Sequence, residues 1–133
     1  MIRRLLLAAV LGAAAVTVIA VPARESRAVA LRHLRLKASF PAKDTTLTKA
    51  PDAVRLWLSE PAELAATKVE VKREGGAVVS TAALTRGAQR DDPVVATFTT
   101  PPGNGRYTVD WRAMSKDGHV VKGTYGFTVR LAP

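Results

Sequence analysis

Period-two hydrophobicity near the C-terminus constrains the fold most. In RYTVDWRAMS (106–115), Tyr107, Val109 and Trp111 alternate with polar neighbours, and in VVKGTYGFTVRL (120–131) Tyr125, Phe127 and Val129 do the same. Successive side chains of an extended chain point to opposite faces, so each run is a strand with one buried and one wet face. Asp117-Gly118 between them is a turn signal. The pattern recurs upstream in HLRLKAS (33–39), VRLWLS (54–59), KVEVKR (68–73) and VVATFTT (94–100). Breakers separate the runs at Pro41–Asp44, Ala50-Pro51-Asp52, Glu60-Pro61, Gly75-Gly76 and Pro101–Gly105. The only helical signal after position 32 is a single turn near Pro61–Thr67. Many short strands so spaced predict an all-β antiparallel sandwich or barrel of roughly seven or eight strands. Leu36, Val54, Leu56, Val69, Val109, Trp111, Phe127 and Val129 are its expected core.

The first 30 residues have a different character. Arg3 and Arg4 precede an apolar run from Leu5 to Val21, and Ala28 and Ala30 form an A-x-A cleavage pattern. This is the layout of a secretory signal peptide, with one domain over 31–133 remaining. The alternative is an uncleaved anchor, since the run lies at the lower edge of what spans a bilayer. Either places the domain outside the cytoplasm, in a periplasm or its equivalent. The chain has no cysteine, which excludes thiolate metal sites and thiol catalysis. Its formal charge of +9 is dispersed, without the basic runs and interleaved aromatics that track nucleic acid, so no nucleic-acid partner is expected.

Catalytic motifs are missing: there is no G-x-S-x-G elbow, no phosphate-binding glycine loop and no His-Glu-x-x-His. The chain has two histidines, His33 opening the first strand run and His119 opening the last. Asp117 lies two residues before His119, and residues two apart in extended chain project to one side. Should the first and last strands end together at one edge of the sandwich, His33 joins that pair. Two imidazoles and a carboxylate suit tetragonal Cu(II), with Zn(II) or Ni(II) also accommodated. From spacing alone, solvated histidines and a turn aspartate explain the same residues.

Three further segments carry a family resemblance. His33 followed by Leu-Arg-Leu-Lys-Ala-Ser-Phe-Pro-Ala, the Leu-Ser-Glu-Pro element at 58–61, and Tyr107-Thr-Val-Asp-Trp-Arg-Ala-Met-Ser-Lys-Asp-Gly-His119 with Gly123 beyond it resemble CopC-type copper-resistance proteins. The resemblance implies a Greek-key β-sandwich of cupredoxin-like or immunoglobulin-like shape. It also implies one Cu(II) per chain, held by His33, Asp117 and His119, with Glu60 beside the metal. The implied role is a non-enzymatic copper carrier or buffer, with a membrane copper transporter as a partner. A copper oxidoreductase and a metal-free interaction module are the alternatives from other classes.

Two features depart from the family pattern. Some members hold Cu(I) in a methionine-rich loop, but here the only methionine after the start is Met114, so no dedicated Cu(I) site is expected. The family site also uses the free amine of a terminal histidine, which requires a cut between Arg32 and His33. Cleavage after Ala30 fits signal processing better and leaves Leu31-Arg32-His33, an X-X-His terminus able to chelate Cu(II) by itself. The fourth copper donor therefore stays open at this level.

Overall fold

Strands β8 (Gly105–Met114) and β9 (Val120–Val129) form the long antiparallel hairpin that the alternation predicts, paired from Gly105 opposite Val129 to Met114 opposite Val120. Residues 33–133 are described by the structure, a computed structural model; the expected signal segment lies outside them. The other strands are β1 (Leu36–Phe40), β2 (Thr46–Leu47), β3 (Ala53–Leu58), β4 (Lys68–Arg73), β5 (Val78–Val79), β6 (Thr85–Arg86) and β7 (Val94–Thr97). One 3-10 turn, Leu64–Ala66, occupies the place of the expected helical turn. No helix among the described residues is long and apolar enough to cross a membrane.

The strands form two layers. A four-stranded sheet is ordered β1-β3-β7-β6 and a five-stranded sheet β2-β9-β8-β4-β5. All pairings are antiparallel except β2 with β9, which is parallel. The chain crosses between layers from β1 to β2, β2 to β3, β3 to β4, β5 to β6 and β7 to β8, which makes the expected Greek-key sandwich.

The inward residues of both sheets share one core. Val54, Leu56, Val94, Ala96 and Phe98 meet Val71, Tyr107, Val109, Trp111, Phe127 and Val129 there, all buried. Full burial of a side chain of this size contributes about 1.5–3 kcal/mol. The Tyr107 and Phe127 rings stack with centroids 5.2 Å apart. Six of the eight expected core residues are buried; Leu36 and Val69 are only half-buried against the cluster. For Leu36 the cause is local. The register between β1 and β3 shifts between Leu36 and Ala38, and β1 is an edge strand, so the alternation read from 34 to 38 breaks within it. Leu34, just before the strand, enters the core instead, at 2% exposure.

Candidate metal centre

Burial of Leu34 fixes the residue before it. With Leu34 in the core, His33 is left exposed at the end of the sandwich. Ser59, just past β3, pins this lead-in. Its amide donates to the Arg35 carbonyl at 2.8 Å, its hydroxyl accepts from the Arg35 amide at 3.0 Å, and that hydroxyl also contacts the His33 carbonyl at 3.4 Å.

His119 arrives from the other layer. The turn between β8 and β9 is closed by the Ser115 amide donating to the His119 carbonyl at 2.9 Å and the Gly118 amide donating to the Ser115 carbonyl at 3.0 Å. Gly118 has φ of 87°, a backbone region that disfavours any side chain, so glycine suits this corner. Asp117 is thus a turn residue, as the Asp117-Gly118 signal predicted, and not part of the extended chain on which the two-residue projection argument relied. The turn still brings it to His119: Nδ1 of His119 lies 2.7 Å from Asp117 Oδ2, and the His119 amide donates to Asp117 Oδ1 at 3.3 Å.

The two histidine rings meet edge to face, with centroids 5.8 Å apart and planes at 78°. They come from the lead-ins to β1 and β9, strands of different sheets. With metal–nitrogen bonds of about 2.0 Å, a ligating ring centroid sits about 3 Å from the ion, so two rings on one ion have centroids up to about 6 Å apart. The observed separation is within that reach. Two donors at right angles on a metal with such bonds are about 2.8 Å apart, close to the Asp117–His119 distance. The pair therefore has two chemistries open to it. An ion can replace the shared proton and bind both groups, or Asp117 can accept from Nδ1 and orient His119 to bind through Nε2. Among the described residues no three His, Cys, Asp or Glu side chains are already clustered as a ready cage.

Electrostatics favour a permanently charged carboxylate. The Ser115 hydroxyl, bonded to Oδ1, is the leading cause holding the Asp117 carboxyl down at about 2, followed by the His119 side chain and amide. Ser115 is itself buried, at 3% exposure. Glu60 lies to one side, where it lines a cleft with Asp117, Lys116, Arg86 and Arg90. The segment after it is tied down by the Glu63 amide donating to the Met114 carbonyl at 2.9 Å and by Arg86 Nη1 donating to the Ala62 carbonyl at 2.7 Å. Among the described contacts Glu60 makes no bond to either histidine.

Sequence reasoning singled out the two imidazoles and the carboxylate but not Ser59 and Ser115, which hydrogen-bond to His33 and Asp117. Ser115 had a faint signal. A serine two residues before an aspartate at a turn is a common local hydrogen-bonding pattern, but too common to single out.

Comparison with known proteins points to one family. The CopC domain model matches residues 36–130. Protein YobA of Escherichia coli K12 is 31% identical over 98 residues, which cover 74% of this chain and 79% of YobA. Copper resistance protein C of Escherichia coli is 32% identical over 108 residues, 76% of this chain and 84% of that protein. Among solved structures, PcoC, a methionine-rich copper resistance protein from Escherichia coli, superposes with a TM-score of 0.66 at 30% identity, covering 74% of this chain and 99% of PcoC. On the family match and the shared sandwich, this chain belongs to the CopC family.

Proposed function

We propose that the protein is an extracytoplasmic copper-binding protein of copper resistance, carrying or buffering one Cu(II) between His33, Asp117 and His119, without catalysing a reaction. The observation that carries this reading is the meeting of His33 with the Asp117–His119 pair across the end of the sandwich. Two neutral imidazoles and a carboxylate supply the nitrogen and oxygen donors that Cu(II) prefers in its equatorial plane. The three side chains are exposed, so the ion can enter and leave without opening the core. That suits transport more than permanent storage. Glu60, on the cleft beside Asp117, is assigned to the surroundings of the ion and not to its ligand set. The partner in this reading is a membrane copper transporter that takes the ion from the exposed end.

The donor set also argues for Cu(II) over Cu(I). PcoC is described as methionine-rich, whereas this chain has Met1 and Met114 alone. Met114 closes β8 and is half-buried there. A single thioether does not build a soft multidentate site.

The test is metal analysis and electron paramagnetic resonance (EPR) of protein recovered from the cell envelope, with mass spectrometry of its first residue. One Cu(II) per chain with nitrogen hyperfine structure is the expected result. Protein that takes up no Cu(II), or that keeps wild-type affinity and spectrum in the Asp117→Ala, His119→Ala double variant, refutes the shared site.

A further inference from the structure

Ser115 follows directly after β8, where its neighbours on the strand, Ala113 and Trp111, are core residues. A serine buried to 3% exposure needs partners for its hydroxyl, and Ser115 finds all of them inside the turn that follows. Its Oγ donates to Asp117 Oδ1 and lies 3.3 Å from the His119 carbonyl oxygen. The other carboxylate oxygen, Oδ2, faces His119 Nδ1 at 2.7 Å. The carboxylate is thus gripped from behind by a fixed core group while its free side meets the imidazole. Without that grip an exposed turn aspartate would sample several rotamers and lose entropy each time it bound an ion. The backbone of the turn does not depend on the hydroxyl, because the Ser115 amide and carbonyl make their own bonds to His119 and Gly118.

We propose that Ser115 is a positioning residue for copper binding: its buried hydroxyl locks the Asp117 carboxylate in the orientation that lets it act together with His119. The inference rests on the copper site proposed above and deepens it. Ser115 touches no ion itself. Partners placed behind metal ligands in this way typically change affinity by about 10–100-fold when removed.

The experiment compares Ser115→Ala, Ser115→Thr and Ser115→Val in the full exported protein, with Cu(II) affinity read by chelator competition and geometry by EPR. Thr and Val add the same methyl group and differ only in the hydroxyl, so their comparison holds even where Ala perturbs folding. Ala and Val are expected to weaken Cu(II) binding by about 10–100-fold and to shift the copper hyperfine splitting, with thermal unfolding of the metal-free Ala protein little changed. Thr is expected to bind more tightly than Val by a similar factor and to keep the wild-type spectrum. Wild-type affinity and spectrum in Ser115→Ala, or equal binding by Thr and Val, would overturn the role of the hydroxyl. These results are read beside the Asp117→Ala, His119→Ala double variant. If that variant binds copper normally, the copper site itself is wrong; if it loses copper while Ser115→Ala does not, only the positioning role falls.

Discussion

His33 and His119 face each other across the two layers of the sandwich, one ring edge-on to the other at 5.8 Å, although one leads into β1 and the other into β9. An ion bound by both would tie the four-stranded sheet to the five-stranded one. A ligand that binds only the folded state stabilises it by mass action, about 2.7 kcal/mol when its free concentration is 100 times Kd. Cu(II) should therefore raise the unfolding temperature of the wild-type protein by several degrees. His33→Ala and His119→Ala should each abolish most of that rise while leaving the metal-free transition in place, since both residues are exposed. Calorimetry with and without Cu(II) checks this.

Gly123 is held glycine by its neighbour across the hairpin. It pairs with Trp111, and a Cβ placed on it would lie 2.8 Å from the indole Nε1 and 2.9 Å from two ring carbons. Trp111 is packed in the core at 8% exposure and has little room to withdraw. Gly123→Ala should destabilise the protein by about 1–3 kcal/mol, the usual cost of forcing extra volume into a packed site. Urea denaturation measures it, and an unchanged midpoint would mean that the indole moves freely.

Tyr107 and Phe127 stack within the core. Phe127 is 2% exposed, and its removal leaves a cavity that the rigid β8–β9 ladder cannot collapse to fill. Phe127→Ala should cost about 3–5 kcal/mol. Copper binding by the remaining folded protein should be retained, because Phe127 is inward on β9, well along the strand from His119.

Long alternating runs were readable as strands because ten residues of period two leave one way to bury a face; Tyr107–Trp111 and Tyr125–Val129 came out as read. Strands β2, β5 and β6 have two residues each, too few to show any period, and their place depends on pairing with β9, β4 and β7. The edge-strand bulge at Leu36–Ala38 was hidden for a related reason: LRLKA alternates cleanly, and only the pairing with β3 breaks its register. In the site, the chemistry of His33, Asp117 and His119 was visible in residue type and resemblance, but the cause of their approach was not. The Asp117-Gly118 turn was readable, but not the Ser115 hydroxyl behind it. Ser115 carries no metal-binding signal in its own chemistry, so only the folded turn reveals its contact with the carboxylate.

Mild acid should leave the Asp117 carboxylate charged. A metal-binding imidazole must be unprotonated, so protons compete with copper for the histidine donors as pH falls. The Asp117 carboxyl is held at about 2, first by the Ser115 hydroxyl and then by His119. The sign follows: a carboxyl lowered in the folded state contributes stability that is present above its ordinary value of 3.8 and is lost only as pH falls towards about 2. Between about pH 5 and pH 4 the turn should therefore remain charged and intact. Ser115→Ala removes the largest cause of the lowering, so the Asp117 midpoint should move up towards the ordinary carboxylate range. Carbon-detected NMR of the side-chain carboxyl in metal-free protein follows both titrations. A midpoint near the ordinary value in the wild-type protein would show that the Ser115 hydroxyl does not hold the carboxylate in solution.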